Sequence, residues 1–185
     1  MDWVANPVRP QREKNLAAAL CPCDCHIFDT TDNILLMTTL KYPSILVKLQ
    51  HNPQKRHVAD EMAHEAEIYA ALGDYEAVQE VIATFRGHST HLGVAMTCID
   101  REMDDLDDIG LENVSEALKQ SAIHAVCLLS EIGLLHNDLE LRNIVRSRDD
   151  PDRAKIIDFG RAVFTSDQQL LADQVERIKS LLGIA

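Results

Sequence analysis

Two stretches decide the reading: Leu135-His136-Asn137-Asp138-Leu139-Glu140-Leu141-Arg142-Asn143-Ile144-Val145 and Ile156-Ile157-Asp158-Phe159-Gly160. The first places a carboxylate, Asp138, and an amide, Asn143, on one loop that runs into an apolar pair. The second places another carboxylate, Asp158, after an apolar strand and before Phe-Gly. Between them a short hairpin is expected, pairing residues 144–146 with 155–157 across 147–153. Asn143 and Asp158 offer two hard oxygens, the ligand type that magnesium prefers while keeping some of its waters. Asp138 is then left to orient a hydroxyl and accept its proton. Transfer of a phosphoryl group needs little more than this and a cation on the phosphates.

Upstream, the spacing predicts a small sheet with one helix. Strands are expected at residues 26–29, 34–40 and 44–50, with turn chemistry at Thr30, Thr31, Asp32 and Asn33 and positive φ at Asn33. Lys48 is the one charge in the third of these strands. A helix follows over 58–72, stopped by Gly73, with Met62, Ile68, Tyr69 and Leu72 on its apolar stripe. Glu65 falls on that stripe, and a buried carboxylate requires a cationic partner. Two more strands are expected at 77–86 and 91–99. Downstream, a long helix over 114–131 carries Leu118, Ala122, Val126 and Leu129 on one face and ends at Gly133. A final helix opens with a capping box, Ser166 with Gln169, and carries the stripe Leu171, Val175, Ile178 and Leu182.

These motifs resemble the protein kinase superfamily. His136 to Asn143 is similar to the catalytic loop H-x-D-x-x-x-x-N, and Asp158-Phe159-Gly160 to the magnesium-binding D-F-G. The resemblance covers roughly residues 26–182. It implies an α+β, bilobal protein-kinase-like fold: a small antiparallel β-sheet N-lobe with one helix, then a minimal, mainly helical C-lobe. As one domain, residues 1–25 form an arm, 26–99 the N-lobe and 100–185 the C-lobe. It implies ATP and Mg2+ as cofactors, with Asp138 as catalytic base, Asn143 and Asp158 on the metal, and Lys48 on the phosphates, paired with Glu65. The stretch Met96-Thr97-Cys98-Ile99-Asp100 becomes the hinge that meets adenine. The pattern looks most similar to small fungal kinase-like proteins, and the compact ending to RIO-type and KEOPS-type kinases.

Four departures bear on activity. No G-x-G-x-x-G covers the phosphates, where glycines would permit close backbone approach. Asn137 replaces the arginine that receives an activation-loop phosphate, so such activation is not expected. Glu140 stands where Ser/Thr kinases usually carry lysine, which weakens charge stabilisation unless Arg142 or another cation supplies it. Only residues 161–185 follow the D-F-G match, with no A-P-E, so a protein partner completing the C-lobe or a small substrate is expected. The leading expectation is a kinase transferring the γ-phosphate to a hydroxyl of a protein or small molecule. The alternative is a pseudokinase or scaffold that binds nucleotide weakly and works through partners.

Composition sets the outer bounds. The 185 residues are 46% hydrophobic and 26% charged, which suits one globular domain. No apolar run spans a bilayer and the start lacks a signal-peptide core, so a cytoplasmic location with no membrane partner is expected. A net charge of -12 repels phosphate backbones, arguing against nucleic acid. Acid concentrates at Asp100, Glu102, Asp104, Asp105, Asp107 and Asp108, read as a solvated loop or a rim for a cationic substrate. Cys21, Cys23, Cys25 and His26 form a tight cluster, read as reduced thiols or, as a third function, a metal module.

Overall fold

Short runs rich in apolar and β-branched residues build the strands of the first unit, and apolar stripes at helical spacing build the helices. The computed structural model describes residues 2–4, 25–30, 34–39, 42–50, 54–91 and 94–184. The chain divides into two compact units, one of residues 1–70 and 84–101, the other of 71–83 and 102–185.

The first unit holds an antiparallel sheet of six strands: β1 Asp2–Val4, β2 Cys25–Thr30, β3 Ile34–Thr39, β4 Tyr42–Gln50, β5 Phe85–His91 and β6 Val94–Asp100. Their order is β1-β5-β6-β4-β3-β2. Helix α1, Arg56–Leu72, contributes its residues to Ala70. Val58 and Met62 of α1 pack with Ala95 of β6, flanked by Ile34 and Ala59. The Tyr69 and Phe85 rings stack 5.3 Å apart. Buried Gln50 ties three segments together. Its Nε2 donates to the Lys55 carbonyl at 2.9 Å, and its Oε1 accepts from the Ala95 amide at 3.2 Å.

The second unit begins with a short helix, α2 Glu76–Gln79, where a strand over 77–86 was expected. Val78, Val81 and Ile82 are buried at i, i+3, i+4, a helical spacing inside an apolar run. Ile82 bridges to Ile156, which is why residues 71–83 join this unit and not the N-lobe. Helix α3, Leu106–Ile109, precedes α4, Glu116–Glu131. Ser115 caps α4 by accepting from the Leu118 amide. The predicted apolar face of α4 is buried. After it, Gly133 adopts φ +79, and a Cβ there would meet the Thr165 carbonyl at 2.8 Å. Strand β7, Leu134–Leu135, then leads into the catalytic-type loop. The hairpin pairs β8, Ile144–Arg146, with β9, Ala154–Ile156, one residue earlier than expected. Strand β10, Val163–Phe164, returns to β7. Helix α5, Gln168–Leu181, is capped by Asp167 in place of the expected Ser166, because Asp167 accepts from the amides of Gln169 and Leu170. Among the described residues no helix is long and apolar enough to cross a membrane.

The expected helical turn at 14–20, the turn at Asn33, and Cys21 and Cys23 lie outside the described residues, as do the side chains of Cys25 and His26.

Candidate active site

In the second unit the catalytic-type loop and the Asp158 segment are joined by a closed circuit of hydrogen bonds. The Asp138 amide donates to Nδ1 of His136 at 3.3 Å. The Asp138 carbonyl accepts from Nδ2 of Asn143 at 2.8 Å. The Asn143 carbonyl accepts from the amide of Ile157 at 3.0 Å, and the Ile157 carbonyl accepts from Nε2 of His136 at 3.0 Å. Four residues therefore lock Asp138, Asn143 and the residue before Asp158 onto one frame. The His136 ring, fully buried, packs against the ring of Phe159, also fully buried. Both act through structure, as their apolar neighbours suggest.

Two non-glycine residues of this frame have positive φ, Asn137 at 62° and Asp158 at 64°. Asn and Asp tolerate this region better than most residues, and such backbones concentrate at functional sites. Asn137 therefore suits its position conformationally. Its Nδ2 also donates to the Arg161 carbonyl at 3.1 Å, tying the loop to the chain beyond Gly160.

Asn143 is buried, and its Nδ2 is committed to Asp138, so Oδ1 is its lone-pair donor for a cation. That oxygen and the Asp158 carboxylate are hard donors of the type that magnesium prefers. Asp138 is flanked by arginines: Arg142 Nη2 lies 3.5 Å from its Oδ2, and Arg161 Nη1 3.9 Å from its Oδ1. Arg142, four residues on, thus points back to Asp138. Glu140 pairs with Arg177 at 2.5 Å, and Arg177 Nε donates to the Leu139 carbonyl. Arg161, Arg177 and Gln174 escaped the sequence reading. Gln174 carried the one legible signal, since it falls on the α5 stripe between Leu171 and Ile178.

The first unit holds the Lys48–Glu65 pair. Lys48 Nζ lies 3.3 Å from Oε2 of Glu65, whose side chain is 3% exposed. The inward carboxylate predicted from the α1 stripe thus has its cation.

The hinge assignment needs correction. Thr97, Cys98 and Ile99 lie in β6, between β4 and β5: Thr97 faces Lys48 and His88, and Cys98 faces Val47 and Gly87. Backbone groups of an interior antiparallel strand are used by its two neighbours, leaving none for a purine. The Thr97 hydroxyl is also engaged, 3.1 Å from Nδ1 of His88. The acidic connector is likewise largely occupied. Glu102 bonds Lys155 and the Arg148 amide, Asp104 pairs with Arg146, Asp105 caps α3, and Asp100 binds Arg86.

Burial lowers the pKa of both His136 and His88 below the ordinary 6.5. Both take up a proton less readily in the fold than in the unfolded chain, where the ring titrates near pH 6.5. Below that pH the unfolded state takes up protons that the folded state refuses. Stability present above pH 6.5 is therefore lost as pH falls, by at most about 1.4 kcal/mol per pH unit for each histidine. Urea midpoints are expected to fall between pH 7.5 and 5.5, and less so in His88→Gln. A flat profile would contradict the buried neutral rings.

No family model matches the sequence, and no curated protein does. Among solved structures the chain is similar to the crystal structure of the PF14_0431 kinase domain, with a TM-score of 0.58 and 18% identity. The match covers 77% of this chain and 51% of that one, so the chain spans about half the length of that kinase domain. The fold is therefore protein-kinase-like: α+β, with a small antiparallel sheet in one unit and a mainly helical second unit. In all, 1738 solved chains match, so the likeness identifies a widely shared fold and not one activity.

Proposed function

We propose that the chain is an ATP- and magnesium-dependent kinase that transfers the γ-phosphoryl group to an alcohol hydroxyl. The observation that supports this most is the hydrogen-bond circuit through His136, Asp138, Asn143 and Ile157. It holds a proton acceptor, an amide oxygen and the left-handed Asp158 on one rigid frame, the preorganisation that phosphoryl transfer requires.

Asn143 and Asp158 would hold magnesium, which when bound neutralises charge on the phosphates. Lys48, steadied by Glu65, binds the phosphates. Asp138 takes the acceptor hydroxyl's proton while that oxygen bonds to the γ-phosphorus. The bond from that phosphorus to the β–γ bridging oxygen breaks, and ADP leaves. Adenine recognition falls outside Thr97, Cys98 and Ile99. Kinship with small fungal kinase-like proteins is part of the proposal and rests on the His136–Asn143 pattern and the helix pattern Glu65-x-x-Ile68-Tyr69-x-x-Leu72. The proposal extends to a cytoplasmic enzyme whose partners are the nucleotide, the acceptor and, in addition, a protein partner.

Calorimetric titration with ATP and magnesium tests the proposal. Saturable binding that weakens in Lys48→Met supports it, and no heat at millimolar nucleotide favours the scaffold alternative.

A further inference from the structure

The proposed base sits between two guanidinium groups, in contacts of 3.5 Å to Arg142 and 3.9 Å to Arg161. Two guanidinium groups meet one carboxylate there, in a chain of net charge -12. Arg142 is 59% exposed and Arg161 62% exposed, and a guanidinium carries five N–H donors, so both keep donors facing solvent beyond those turned to Asp138.

Both arginines stem from anchored backbone. Arg142 lies in a 3-10 turn, Leu141–Asn143, closed by the Asn143 amide on the Glu140 carbonyl. The Arg161 carbonyl is held by Asn137. Glu140, two residues after Asp138, bonds Arg177 instead, and Glu102, Asp104 and Asp100 of the connector pair with Lys155, Arg146 and Arg86.

A guanidinium fork matches the oxygens of phosphate or carboxylate in geometry and charge. We infer that the acceptor side of Asp138 binds an anionic substrate: a hydroxyl compound bearing a phosphate or carboxylate that Arg142 and Arg161 hold while its hydroxyl faces Asp138. This names the substrate class of the proposed kinase and so rests on that reading.

The test is an NMR titration of the full chain with methyl phosphate and, separately, acetate, following the arginine Nε–Hε signals. It is run with and without a non-hydrolysable ATP analogue and magnesium. Saturable binding with a dissociation constant on the order of 1 mM is expected. Arg142→Ala and Arg161→Ala are each expected to weaken it about tenfold, the loss of one charge-assisted hydrogen bond. Arg161→Lys, which keeps the charge but not the fork, falls between. Preference for methyl phosphate over acetate identifies a phosphorylated acceptor, and the reverse a carboxylated one. No saturable binding, or binding in both alanine variants as tight as in wild type, overturns the inference. That result is distinct from failure of the kinase reading, which appears as no binding of the analogue.

Discussion

Asp138→Asn is expected to bind ATP and magnesium as wild type does while losing phosphoryl transfer by about 10²- to 10⁴-fold, the usual contribution of a positioned proton acceptor. The replacement is close to isosteric. The backbone of residue 138 is held through its amide by His136 and through its carbonyl by Asn143, and neither bond involves the side chain that changes. What is lost is a carboxylate able to take a proton, together with two exposed ion pairs of the kind that contribute little to stability. Measuring ADP release alongside calorimetric nucleotide binding separates the two effects. Turnover within tenfold of wild type would remove Asp138 from the role of base.

The second large effect is on stability. Gln174→Leu is expected to destabilise the fold by about 2–4 kcal/mol. Gln174 is 5% exposed and fully engaged. Its Oε1 accepts from the His136 amide at 2.7 Å, and its Nε2 donates to Ser130 Oγ at 3.0 Å and to the Leu134 carbonyl at 3.1 Å. Leucine keeps the bulk but removes every one of these bonds, and a buried amide that loses its acceptor bears the full desolvation cost. For a chain of this size the melting temperature should drop by on the order of 10 °C. The same bond anchors His136, so the loop circuit should loosen too, with faster amide exchange at Asp138. A melting temperature within about 2 °C of wild type would show that leucine packing compensates.

These residues also show what was legible in the sequence. Glu65 was found because a carboxylate interrupts an otherwise apolar stripe, and burial makes that costly without a cation. Gln174 interrupts the α5 stripe in the same way, at three residues from Leu171 and four from Ile178. It was passed over because the apolar neighbour Val175 completed an equally regular pattern. The D-F-G and H-x-D segments were legible as typed residues in order, but the circuit joining them was not, since all four of its bonds involve backbone atoms, which carry no residue signature. Arg142 and Arg161 became visible as a pair only once the fold brought them to opposite oxygens of Asp138. The hinge was misplaced for a related reason. An apolar stretch reads as a strand, but whether it lies inside the sheet or at an edge depends on strand order. The stretch around Val78 was misread because short apolar runs suit either period.

The most direct test of the central claim is a calorimetric titration of ATP into wild type and Asp158→Asn, each with magnesium and with a chelator. Wild type is predicted to bind ATP tightly only with magnesium, and Asp158→Asn to lose that magnesium dependence while keeping its fold. Binding that ignores both the metal and the Asp158 substitution, or no binding at all, would contradict a nucleotide site built on Asn143 and Asp158.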